Sequence, residues 1–249
     1  MAIKQNIKNI FLKIKDLIFP NHIKCIFCDE ELNNRSDNET CEECLNSLPF
    51  ILHACPKCGN PVPEDLDGVC VDCSINSYAF QFARSVFVYK DRVANLIKHI
   101  KFDKQVYLIE PVSSYLFLEL NKMGITPDYI TNVPMFKEKL KARGFNQSEL
   151  LCKALSRKTK IPCFEFCEKI KDTPQQVSLN FKERRENLKD AFKFKKDYKK
   201  IIKDKTILIV DDVFTTGATS NEICKQLLKA GAKSCFVLTL AHSVVEKKL

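Results

Sequence analysis

The sequence predicts an α/β protein in which helices flank a parallel sheet, with a small cysteine-rich module on the N-terminal side. Three observations indicate this fold class. From residue 84 onwards, segments typical of strands alternate with segments typical of helices. The run "KTILIV" at 205–210 is apolar and β-branched, as in a parallel strand buried on both faces of a sheet. Eight of the thirteen cysteines fall within residues 25–73.

The overall composition is that of a soluble globular chain. Of its 249 residues, 45% are hydrophobic and 29% are charged, which is ordinary for folded domains, and the length suits one ordinary domain plus a small one. No window approaches the roughly 20 apolar residues that span a bilayer. The N-terminus has neither the continuous apolar core nor the small-residue cleavage site of a secretory signal. We therefore expect a cytoplasmic protein.

The first predicted unit, residues 1–20, is an amphipathic helix that ends before Pro20. Its apolar side chains recur at helical spacing, with lysines between them. They are Ile3, Ile7, Ile10, Phe11, Ile14, Leu17 and Ile18. The pattern favours a helix that docks on its own protein. Peripheral association with a membrane surface is the alternative for a basic amphipathic helix.

The second predicted unit, residues 21–74, is a metal-binding module. Its cysteines form four C-x-x-C pairs, Cys25/Cys28, Cys41/Cys44, Cys55/Cys58 and Cys70/Cys73. This spacing is typical of tetrathiolate Zn²⁺ sites and, without a secretory signal, indicates a reducing compartment. Four thiolates leave no open coordination position, so two structural zinc ions are expected. They would stabilise a module whose own core is too small.

Two pairings of these knuckles are compatible with the spacing. Twelve residues separate Cys28 from Cys41, and eleven separate Cys58 from Cys70. Consecutive pairing therefore gives two similar units, each with a knuckle, a short hairpin and a second knuckle. This double zinc ribbon, with four cysteines around each ion, is the preferred arrangement. An interleaved cross-brace, which joins the first pair to the third, is the alternative.

Charge is strongly segregated along the chain. The formal net charge is +9, but residues 1–24 carry +4, residues 25–73 carry −9 and residues 74–249 carry +14. An acidic zinc module is poorly suited to a polyanion, so any DNA contact is expected on the basic domain. The lysine cluster at 193–205 is interpreted as exposed surface, and DNA contact is its alternative role.

The third predicted unit, residues 75–249, contains the alternating strands and helices. Strands are predicted at 84–89, 128–133, 205–210 and 234–241, and helices at 91–102, within 105–124, at 146–158 and at 219–230. A ten-residue loop is expected between Val133 and Arg143. Core packing is the default interpretation for the remaining cysteines, Cys152, Cys163, Cys167, Cys224 and Cys235.

The stretch "ILIVDDVFTTGATS" at 207–220 predicts a site for a phosphorylated sugar. Ligands of open α/β sheets bind beyond the carboxyl ends of the strands, where this strand delivers Asp211 and Asp212. Their carboxylates can accept hydrogen bonds from ribose hydroxyls. The cradle for a 5′-phosphate consists of Thr215, Thr216, Gly217, Ala218 and Thr219. Gly217 allows a close turn, and hydroxyls and helix-start N–H groups are the donors. The alternative is that one of these aspartates or threonines simply caps the helix, but capping accounts for only one of them.

These residues resemble a known motif. "ILIVDDVFTTGAT" is similar to the phosphoribosyl-pyrophosphate (PRPP) motif of the type I phosphoribosyltransferases, which has four apolar, two acidic, two apolar and two small residues before glycine and threonine. Phe214 stands where an aliphatic residue is usual. The resemblance implies a type I phosphoribosyltransferase-like sheet, with PRPP bound by Asp211, Asp212 and the loop 215–219.

Four cysteine knuckles ahead of such a domain resemble the ComF family, which is linked to DNA uptake in natural competence. Family-like segments run from about residue 20 to residue 241. They are "IFPNHIKCIFC", "HIKF" with Lys101, "VP" (133–134), "RGFNQSELL" (143–151) and the spaced pattern Thr173, Gln176, Leu179, Arg184, Asn187 and Leu188. Lys171 and the lysines before Arg143 stand where arginines are expected. Lysine keeps the charge and loses the bidentate geometry.

The resemblance implies an enzyme that transfers ribosyl 5-phosphate from Mg²⁺-bound PRPP to an unidentified acceptor and releases pyrophosphate. Asp211, Asp212, Arg143 and Lys101 are the expected catalytic residues. Lys101 and Arg143, with Mg²⁺, are expected to neutralise the departing pyrophosphate, and the carboxylates to stabilise the positive ribosyl centre. Arg143 is also expected to bind PRPP, since arginine matches phosphate geometry.

Two assignments near the expected site stay open. Asn146, with Glu149 three residues on, makes a capping-box-like helix start, and a structural role is favoured for it. The polar stretch 171–188 is either a mobile loop that closes over the reaction centre or a solvated basic face. Its polar residues are Gln175, Gln176, Arg184 and Arg185.

The alternative function belongs to a different class, that of a binding protein. In this interpretation the domain senses or holds PRPP without turnover. Its basic face then handles single-stranded DNA or contacts a competence protein such as a helicase. The sequence identifies neither the acceptor nor a general base.

Overall fold

The structure, a computed structural model, describes residues 24–32, 38–173 and 188–244. The chain forms two compact units, residues 1–47 and 48–249. The predicted N-terminal helix lies outside the described residues. The predicted domain division after residue 74 stays a prediction, and the second group of cysteines belongs to the same compact unit as the sheet.

The described part of the first unit is the segment around the first four cysteines. A single antiparallel bridge joins Lys24 to Glu31, and the short helix α1 (Glu42–Ser47) follows. In the second unit the corresponding bridge joins Ala54 to Pro61, before helix α2 (Val71–Ile75). Each ribbon therefore places its second cysteine pair on or beside a short helix, whereas the sequence predicted a hairpin followed by a second knuckle.

The strands of the second unit form one parallel sheet and one antiparallel ribbon. They are β1 (Ala83–Val88), β2 (Tyr129–Asn132), β3 (Cys167–Lys169), β4 (Phe192–Phe194), β5 (Thr206–Phe214) and β6 (Ser234–His242). Strands β1, β6, β5 and β2, in that spatial order, make the sheet, and every pairing in it is parallel. Strands β3 and β4 pair with each other. The predicted α/β fold class is confirmed.

The α/β part has six described helices. They are α3 (Asp91–Phe102), α4 (Ile109–Lys122), α5 (Lys137–Arg143), α6 (Gln147–Thr159), α7 (Lys199–Ile202) and α8 (Ala218–Ala230), with 3₁₀ turns at Val106–Leu108 and Lys196–Tyr198. The sequence predicted four of them, α3, α4, α6 and α8. Pro111 lies in the first turn of α4, where its missing N–H needs no intrahelical partner. Among the described helices, none combines the length and apolarity needed to cross a bilayer.

Both faces of β5 are covered, which accounts for its unbroken apolar run. Ile207 and Ile209 belong to a buried cluster that includes Ile223 and Leu227 of α8. Side chains alternate along a strand, so Leu208 and Val210 point to the opposite face. Helix α6 packs on β5 and β2 at that side, and α4 packs on α6. The sheet is thus held between helices and presents only its strand ends to a ligand.

Strand β5 is longer than predicted. The sequence ended it at residue 210, but the ladder with β6 continues from Asp211, opposite Thr239, to Phe214, opposite His242. Pairing with a neighbouring strand outweighs the low intrinsic strand preference of aspartate. As a result the two adjacent carboxylates are held on rigid strand backbone.

Two further elements were missed. The predicted ten-residue loop after β2 contains α5, whose sequence KEKLKAR consists of good helix formers. The ribbon of β3 and β4 has three residues in each strand, too few for a periodic pattern to be seen. Both elements form walls of the site described below.

The sequence did not predict one bond between the remaining cysteines. Cys152 on α6 and Cys163 form a disulfide, with their Cα atoms 6.4 Å apart. The fold brings together residues that the spacing alone did not mark as a pair. Cys167, Cys224 and Cys235 are buried and unbridged, as predicted.

Candidate functional site

A cleft of about 210 Å³ lies beyond the carboxyl ends of β2 and β5. Its walls come from residues 133–136, from α5, from the start of α6 and from the ribbon of β3 and β4. Of the predicted site residues, Asp211, Asp212 and Thr219 line it directly. The position agrees with the rule that open α/β sheets bind ligands where their strands end.

The start of α6 is fixed to both strand ends that form the cleft. The Ser148 hydroxyl donates to the carbonyl of Val210 at 2.6 Å and accepts from the N–H of Val133 at 2.9 Å. The Asn146 side chain caps the helix by accepting from the Ser148 N–H at 3.1 Å and donates to the Val133 carbonyl at 2.9 Å. Both the oxygen and the nitrogen of the Asn146 side chain therefore make structural hydrogen bonds, in agreement with the structural role favoured for this residue.

Asp212 is committed to an ion pair. Lys101 Nζ, from the last turn of α3, lies 2.6 Å from Asp212 Oδ2. The Asp212 side chain is only 9% exposed, and its other oxygen accepts from the Val213 N–H at 2.8 Å. Burial lowers the pKa of Lys101, but the charge of Asp212, the hydrogen bond to it and the charge of Asp211 together outweigh burial, so the net shift of the Lys101 pKa is upward. Lys101 is thus held protonated against the carboxylate.

Asp211 differs from its neighbour because no lysine is paired with it among the described contacts. Burial and the adjacent charge of Asp212 raise the pKa of Asp211 to about 8. The Asp212 N–H, which donates to Asp211 Oδ1 at 2.9 Å, and the charge of Lys101 act in the opposite direction. At neutral pH the Asp211 carboxyl is therefore largely protonated.

The predicted phosphate loop adopts the conformation that the sequence implied. Gly217 has φ +69° and directly precedes α8. A Cβ added there would lie 2.5 Å from the Phe214 ring and 3.1 Å from the Tyr78 ring. Only glycine fits this position, because both the backbone conformation and the space exclude a side chain.

The loop and the start of α8 contain hydroxyl and backbone groups that can donate hydrogen bonds. Thr215 and Thr219 are half-buried, whereas Thr216 and Ala218 are buried. The first N–H groups of a helix have no intrahelical partner, so the start of α8 at Ala218 supplies backbone donors and the positive end of the helix dipole. With the flanking hydroxyls, this arrangement is suited to a phosphate group.

Two lysines that the sequence did not single out line the cleft. They are Lys139 of α5 and Lys169 of β3. Lys139 Nζ donates to the Thr173 carbonyl at 2.7 Å and lies 2.9 Å from Asp172 Oδ1. Lys169 Nζ donates to the Thr173 hydroxyl at 2.7 Å. Burial and then the charge of Lys139 lower the pKa of Lys169. The pair gives the cleft a basic wall near its carboxylates.

A sequence signal existed for only one of these lysines. Lys139 belongs to the lysine-rich stretch before Arg143, which departs from the family pattern. Lys169 lies in a strand too short to be recognised. Because the fold brings α5 and β3 together, neither the spacing nor the composition of either segment shows that they form one wall.

Arg143 is the last residue of α5, so it lies on a helix and not in the predicted loop. Its Nη1 donates to Gln147 Oε1 at 2.7 Å, and its guanidinium lies 5.7 Å from the centre of the Phe102 ring. Gln147 in turn lines the cleft. Arg143 is therefore placed at the rim, between the cleft and the exposed end of α3.

The eight paired cysteines form two compact clusters. Within each, all four sulfur atoms lie within 4.8 Å of one another. The clusters are Cys25, Cys28, Cys41 and Cys44, and Cys55, Cys58, Cys70 and Cys73. The sequential pairing is confirmed, and the cross-brace alternative is wrong.

The geometry of both clusters fits Zn²⁺. The Sγ atoms of Cys28 and Cys41 are 3.7 Å apart, and those of Cys58 and Cys70 are 3.6 Å apart. A tetrahedron of sulfurs with Zn–S bonds of about 2.3 Å has edges of about 3.8 Å. Burial raises the pKa of Cys55, but backbone N–H groups lower it further, to about 7. Four thiolates at this spacing in each cluster fit two structural zinc sites.

Other predicted features are only partly described. Residues 174–187, most of the proposed mobile loop, lie outside the described residues, and Lys171 donates to the Lys189 carbonyl at 3.2 Å. In the cluster 193–205, five lysines are exposed, as predicted for surface. They are Lys193, Lys196, Lys199, Lys200 and Lys203.

The fold and the two clusters define the class of the protein, a phosphoribosyltransferase-type domain that follows a double zinc ribbon. Comparison with family models agrees. The double zinc ribbon domain model matches residues 14–74, and the phosphoribosyl transferase domain model matches residues 148–248. The second match contains β5, the loop 215–219 and α8.

Curated relatives identify the family. The chain is 29% identical to competence protein F of Haemophilus influenzae, over 89% of this chain and 98% of that protein. It is 32% identical to DNA utilization protein YhgH of Escherichia coli O157:H7, over 82% and 90%, and 27% identical to competence protein ComFC of Bacillus subtilis, over 88% and 95%. The chain belongs to the ComF/YhgH family.

Proposed function

We propose that the α/β domain binds Mg²⁺-PRPP and transfers its ribosyl 5-phosphate group to an acceptor, releasing pyrophosphate. The observation that carries this proposal is the composition of one cleft of about 210 Å³, which combines adjacent carboxylates, two lysines and Thr219 from the first turn of α8. The glycine turn at Gly217 directly precedes that helix. These are the groups that a phosphorylated, hydroxyl-bearing and polyanionic ligand requires.

Each part of the cleft is suited to one part of the ligand. The loop 215–219 holds the 5′-phosphate through backbone N–H groups and threonine hydroxyls. Asp211 and Asp212 accept hydrogen bonds from the ribose hydroxyls. Lys139 and Lys169 supply counter-charge for the pyrophosphate end. This assigns to the two cleft lysines a role that the sequence alone gave to Arg143 and Lys101, which lie at the rim and in an ion pair, respectively.

The proposed transfer is a substitution at C1 of the ribose. The bond between C1 and the pyrophosphate oxygen breaks, and its electron pair leaves with pyrophosphate. A lone pair of the acceptor, expected to be on nitrogen, forms the new bond to C1, and the acceptor gives up its proton to water. Lys139 and Lys169 stabilise the negative charge that develops on the leaving group, and the Asp212 side chain favours the positive ribosyl centre.

Mg²⁺ fits as an ion delivered with the substrate. Magnesium prefers oxygen ligands and is usually held by one or two carboxylates together with substrate phosphates. Asp211 is the carboxylate available for such contact, since Asp212 is paired with Lys101. When bound, the ion would neutralise pyrophosphate charge and polarise its oxygens.

For the biological role, we propose that the protein acts in the uptake or use of DNA, in the cytoplasm. The names of its relatives, competence protein F and DNA utilization protein YhgH, support this. A basic C-terminal domain with exposed lysines is suited to single-stranded DNA or to an acidic partner such as a competence helicase. A non-catalytic PRPP-binding adaptor is the competing function.

Pyrophosphate release from radiolabelled PRPP and Mg²⁺ separates the two functions. Wild type is compared with Asp211→Asn/Asp212→Asn and with Asp197→Asn, an exposed aspartate outside the cleft, and PRPP binding is measured in parallel by calorimetry. Release that is lost in the double variant and kept in Asp197→Asn supports transfer. Binding without release, across a panel of nitrogenous acceptors, supports the adaptor. A wild-type protein that does not bind PRPP contradicts both.

A further inference from the structure

The segment between the second cysteine cluster and β1 reaches the phosphate loop. The Tyr78 hydroxyl donates to the Thr216 carbonyl at 3.0 Å. Directly after it, the Ala79 N–H donates to Asn221 Oδ1 at 2.7 Å. Asn221 is only 2% exposed, and its own N–H donates to the Gly217 carbonyl at 2.8 Å. Two consecutive residues therefore hold the turn of the loop and the first turn of α8.

Aromatic packing reinforces these hydrogen bonds. The Tyr78 ring stacks on Phe80, with ring centres 4.8 Å apart, and it lies 3.1 Å from the position that a Cβ of Gly217 would occupy. Phe214, the residue that departs from the motif, lies 2.5 Å from the same position and stacks on His242 at 5.0 Å. Two rings thus fill the space beside the glycine turn, and Tyr78 belongs to neither the loop nor the sheet.

The second cysteine knuckle anchors the segment that carries Tyr78. Lys57, between Cys55 and Cys58, donates from Nζ to the Phe80 carbonyl and, at 2.9 Å, to the Gln81 carbonyl. The carbonyl of Lys57 accepts from the Ala83 N–H at 2.9 Å, at the start of β1. Cys55, Cys58 and Cys70 are buried in the same cluster as Phe80 and Phe214. The second zinc ribbon, which contains Cys55 to Cys73, therefore packs behind the phosphate loop and supports it.

The hydrogen bond to Thr216 controls the direction of a backbone donor. In a trans peptide the C=O and the N–H point to opposite sides, and the described chain has no cis peptide bonds. Holding the Thr216 carbonyl on the Tyr78 side therefore turns the Gly217 N–H to the opposite side of the loop. A glycine peptide rotates easily unless it is held, so the direction of this donor depends on a contact from outside the loop.

We propose that Tyr78 is a positioning residue for the phosphate loop, held in place by the second cysteine cluster. It fixes the Thr216–Gly217 peptide in the orientation that receives a 5′-phosphate. The inference deepens the proposed function and rests on it for the identity of the ligand. It also gives the second zinc ribbon a role in the site, because the backbone that this cysteine cluster stabilises supports Tyr78.

The test compares Tyr78→Phe with Tyr107→Phe. The Tyr78→Phe variant keeps the ring and its packing and removes only the hydroxyl. Tyr107 is an exposed tyrosine outside the loop, and its hydroxyl donates to Gln105. Binding of ribose 5-phosphate and of Mg²⁺-pyrophosphate is measured separately by calorimetry, because only the first ligand carries the phosphate that the loop would hold.

In Tyr78→Phe, affinity for ribose 5-phosphate should fall about 3- to 10-fold, as expected for the loss of one hydrogen bond, and affinity for pyrophosphate should stay within about twofold of wild type. Tyr107→Phe should bind both ligands like wild type. If Tyr78→Phe binds ribose 5-phosphate as tightly as wild type does, the inference is overturned. A similar loss of affinity for both ligands would also overturn it, because that result indicates general destabilisation.

Hydrogen exchange provides a measure that needs no ligand. In the unliganded Tyr78→Phe variant, the amides of residues 215–221 should exchange faster than in wild type, because the loop turn loses its external support. In Tyr107→Phe their exchange rates should equal those of wild type. Unchanged exchange in Tyr78→Phe contradicts the positioning role. A wild-type protein that binds neither ligand contradicts the proposed function, and the exchange result then decides the positioning role alone.

Discussion

Lys101 Nζ lies 2.6 Å from Asp212 Oδ2, and this contact joins the last turn of α3 to the carboxylate end of β5. The sequence assigned the two residues to different parts of PRPP, the lysine to pyrophosphate and the aspartate to ribose. In the structure they neutralise each other. In the proposed complex, a ribose hydroxyl that donates to Asp212 therefore joins an existing ion pair with Lys101.

Replacing Lys101 by methionine should destabilise the protein. Asp212 would then be a buried carboxylate without a cation, and removing one partner of a buried pair costs about 3–5 kcal/mol. Because Lys101 is 21% exposed, we expect a loss near the lower end, about 3 kcal/mol, in denaturant unfolding. Lys98→Met, an exposed lysine on the same helix, should change little. The double variant Lys101→Met/Asp212→Asn should recover most of the loss, and no recovery would show that the pair is not the cause.

The raised pKa of Asp211 predicts a pH dependence of binding. Below pH 8 the group is mostly protonated, and above pH 8 it is an anion that accepts hydrogen bonds or contacts a metal ion. Affinity for Mg²⁺-PRPP should therefore rise roughly tenfold from about pH 7 to about pH 9, following the ionised fraction of this carboxyl. Calorimetry across this range tests it. In Asp211→Asn the rise should disappear, and a rise that persists would assign the titration to another group.

The same group makes a prediction for stability. Folding raises the pKa of Asp211 from 3.8 to about 8, so between these pH values the native state binds more protons than the unfolded state. The contribution of Asp211 to stability therefore falls as pH rises through this window. Asp211→Asn should melt above wild type at about pH 8.5, and by less at about pH 5. An equal difference at both pH values would contradict the assignment.

Gly217 should tolerate no side chain. In Gly217→Ala the new Cβ meets the Phe214 ring at 2.5 Å, and the backbone keeps φ +69°. The turn must shift, so affinity for ribose 5-phosphate should fall more than roughly tenfold, with a stability loss of about 1–3 kcal/mol. Gly124→Ala is the matched control, because Gly124 has φ +63° but no atom within 4 Å of its Cβ position. If both variants bind alike, the enclosure by Phe214 and Tyr78 has no effect on the ligand.

The loop, the sheet and the zinc ligands could be predicted because their signals are local. An apolar strand followed by Asp211, Asp212 and Gly217 specifies its own geometry over a few residues. The cysteine pairs do the same, since two knuckles with suitable spacing suffice for a tetrahedral site. For these features, a short stretch of sequence is enough to predict the local structure.

The remainder of the site depends on contacts between distant segments. Lys139 and Lys169 are 30 residues apart in the sequence and meet only because the fold brings α5 and β3 together in one wall of the cleft. Tyr78 is separated from Thr216 by 138 residues. No periodicity marks such residues, and Phe214 could be recognised only as an exception to the motif until its contact with Gly217 was seen. Long-range packing, not local preference, selects these side chains.

Loss of zinc from the second cluster should affect the α/β domain. Cys55, Cys58 and Cys70 share a buried core with β5 and α8, so Cys58→Ser should lower zinc content by one ion per chain and reduce the melting temperature of residues 48–249 by several degrees. Cys28→Ser, in the other compact unit, should also remove one ion and shift that transition less. Metal analysis and calorimetry measure both effects. Equal shifts in the two variants would contradict a special role for the second cluster.

The exposed lysines of residues 193–203 are the expected contact surface for the proposed binding of single-stranded DNA. Phosphate contacts release counterions, so affinity should fall with salt, and each lysine that makes such a contact adds to the slope. Changing Lys196, Lys199 and Lys200 to glutamate should weaken binding of a labelled oligonucleotide by at least roughly tenfold and flatten its salt dependence. The control changes Glu42 and Glu43, acidic residues of the first ribbon, to glutamine and should leave affinity unchanged. If the control raises affinity and the lysine variant has no effect, DNA contact does not lie on this face of the basic domain.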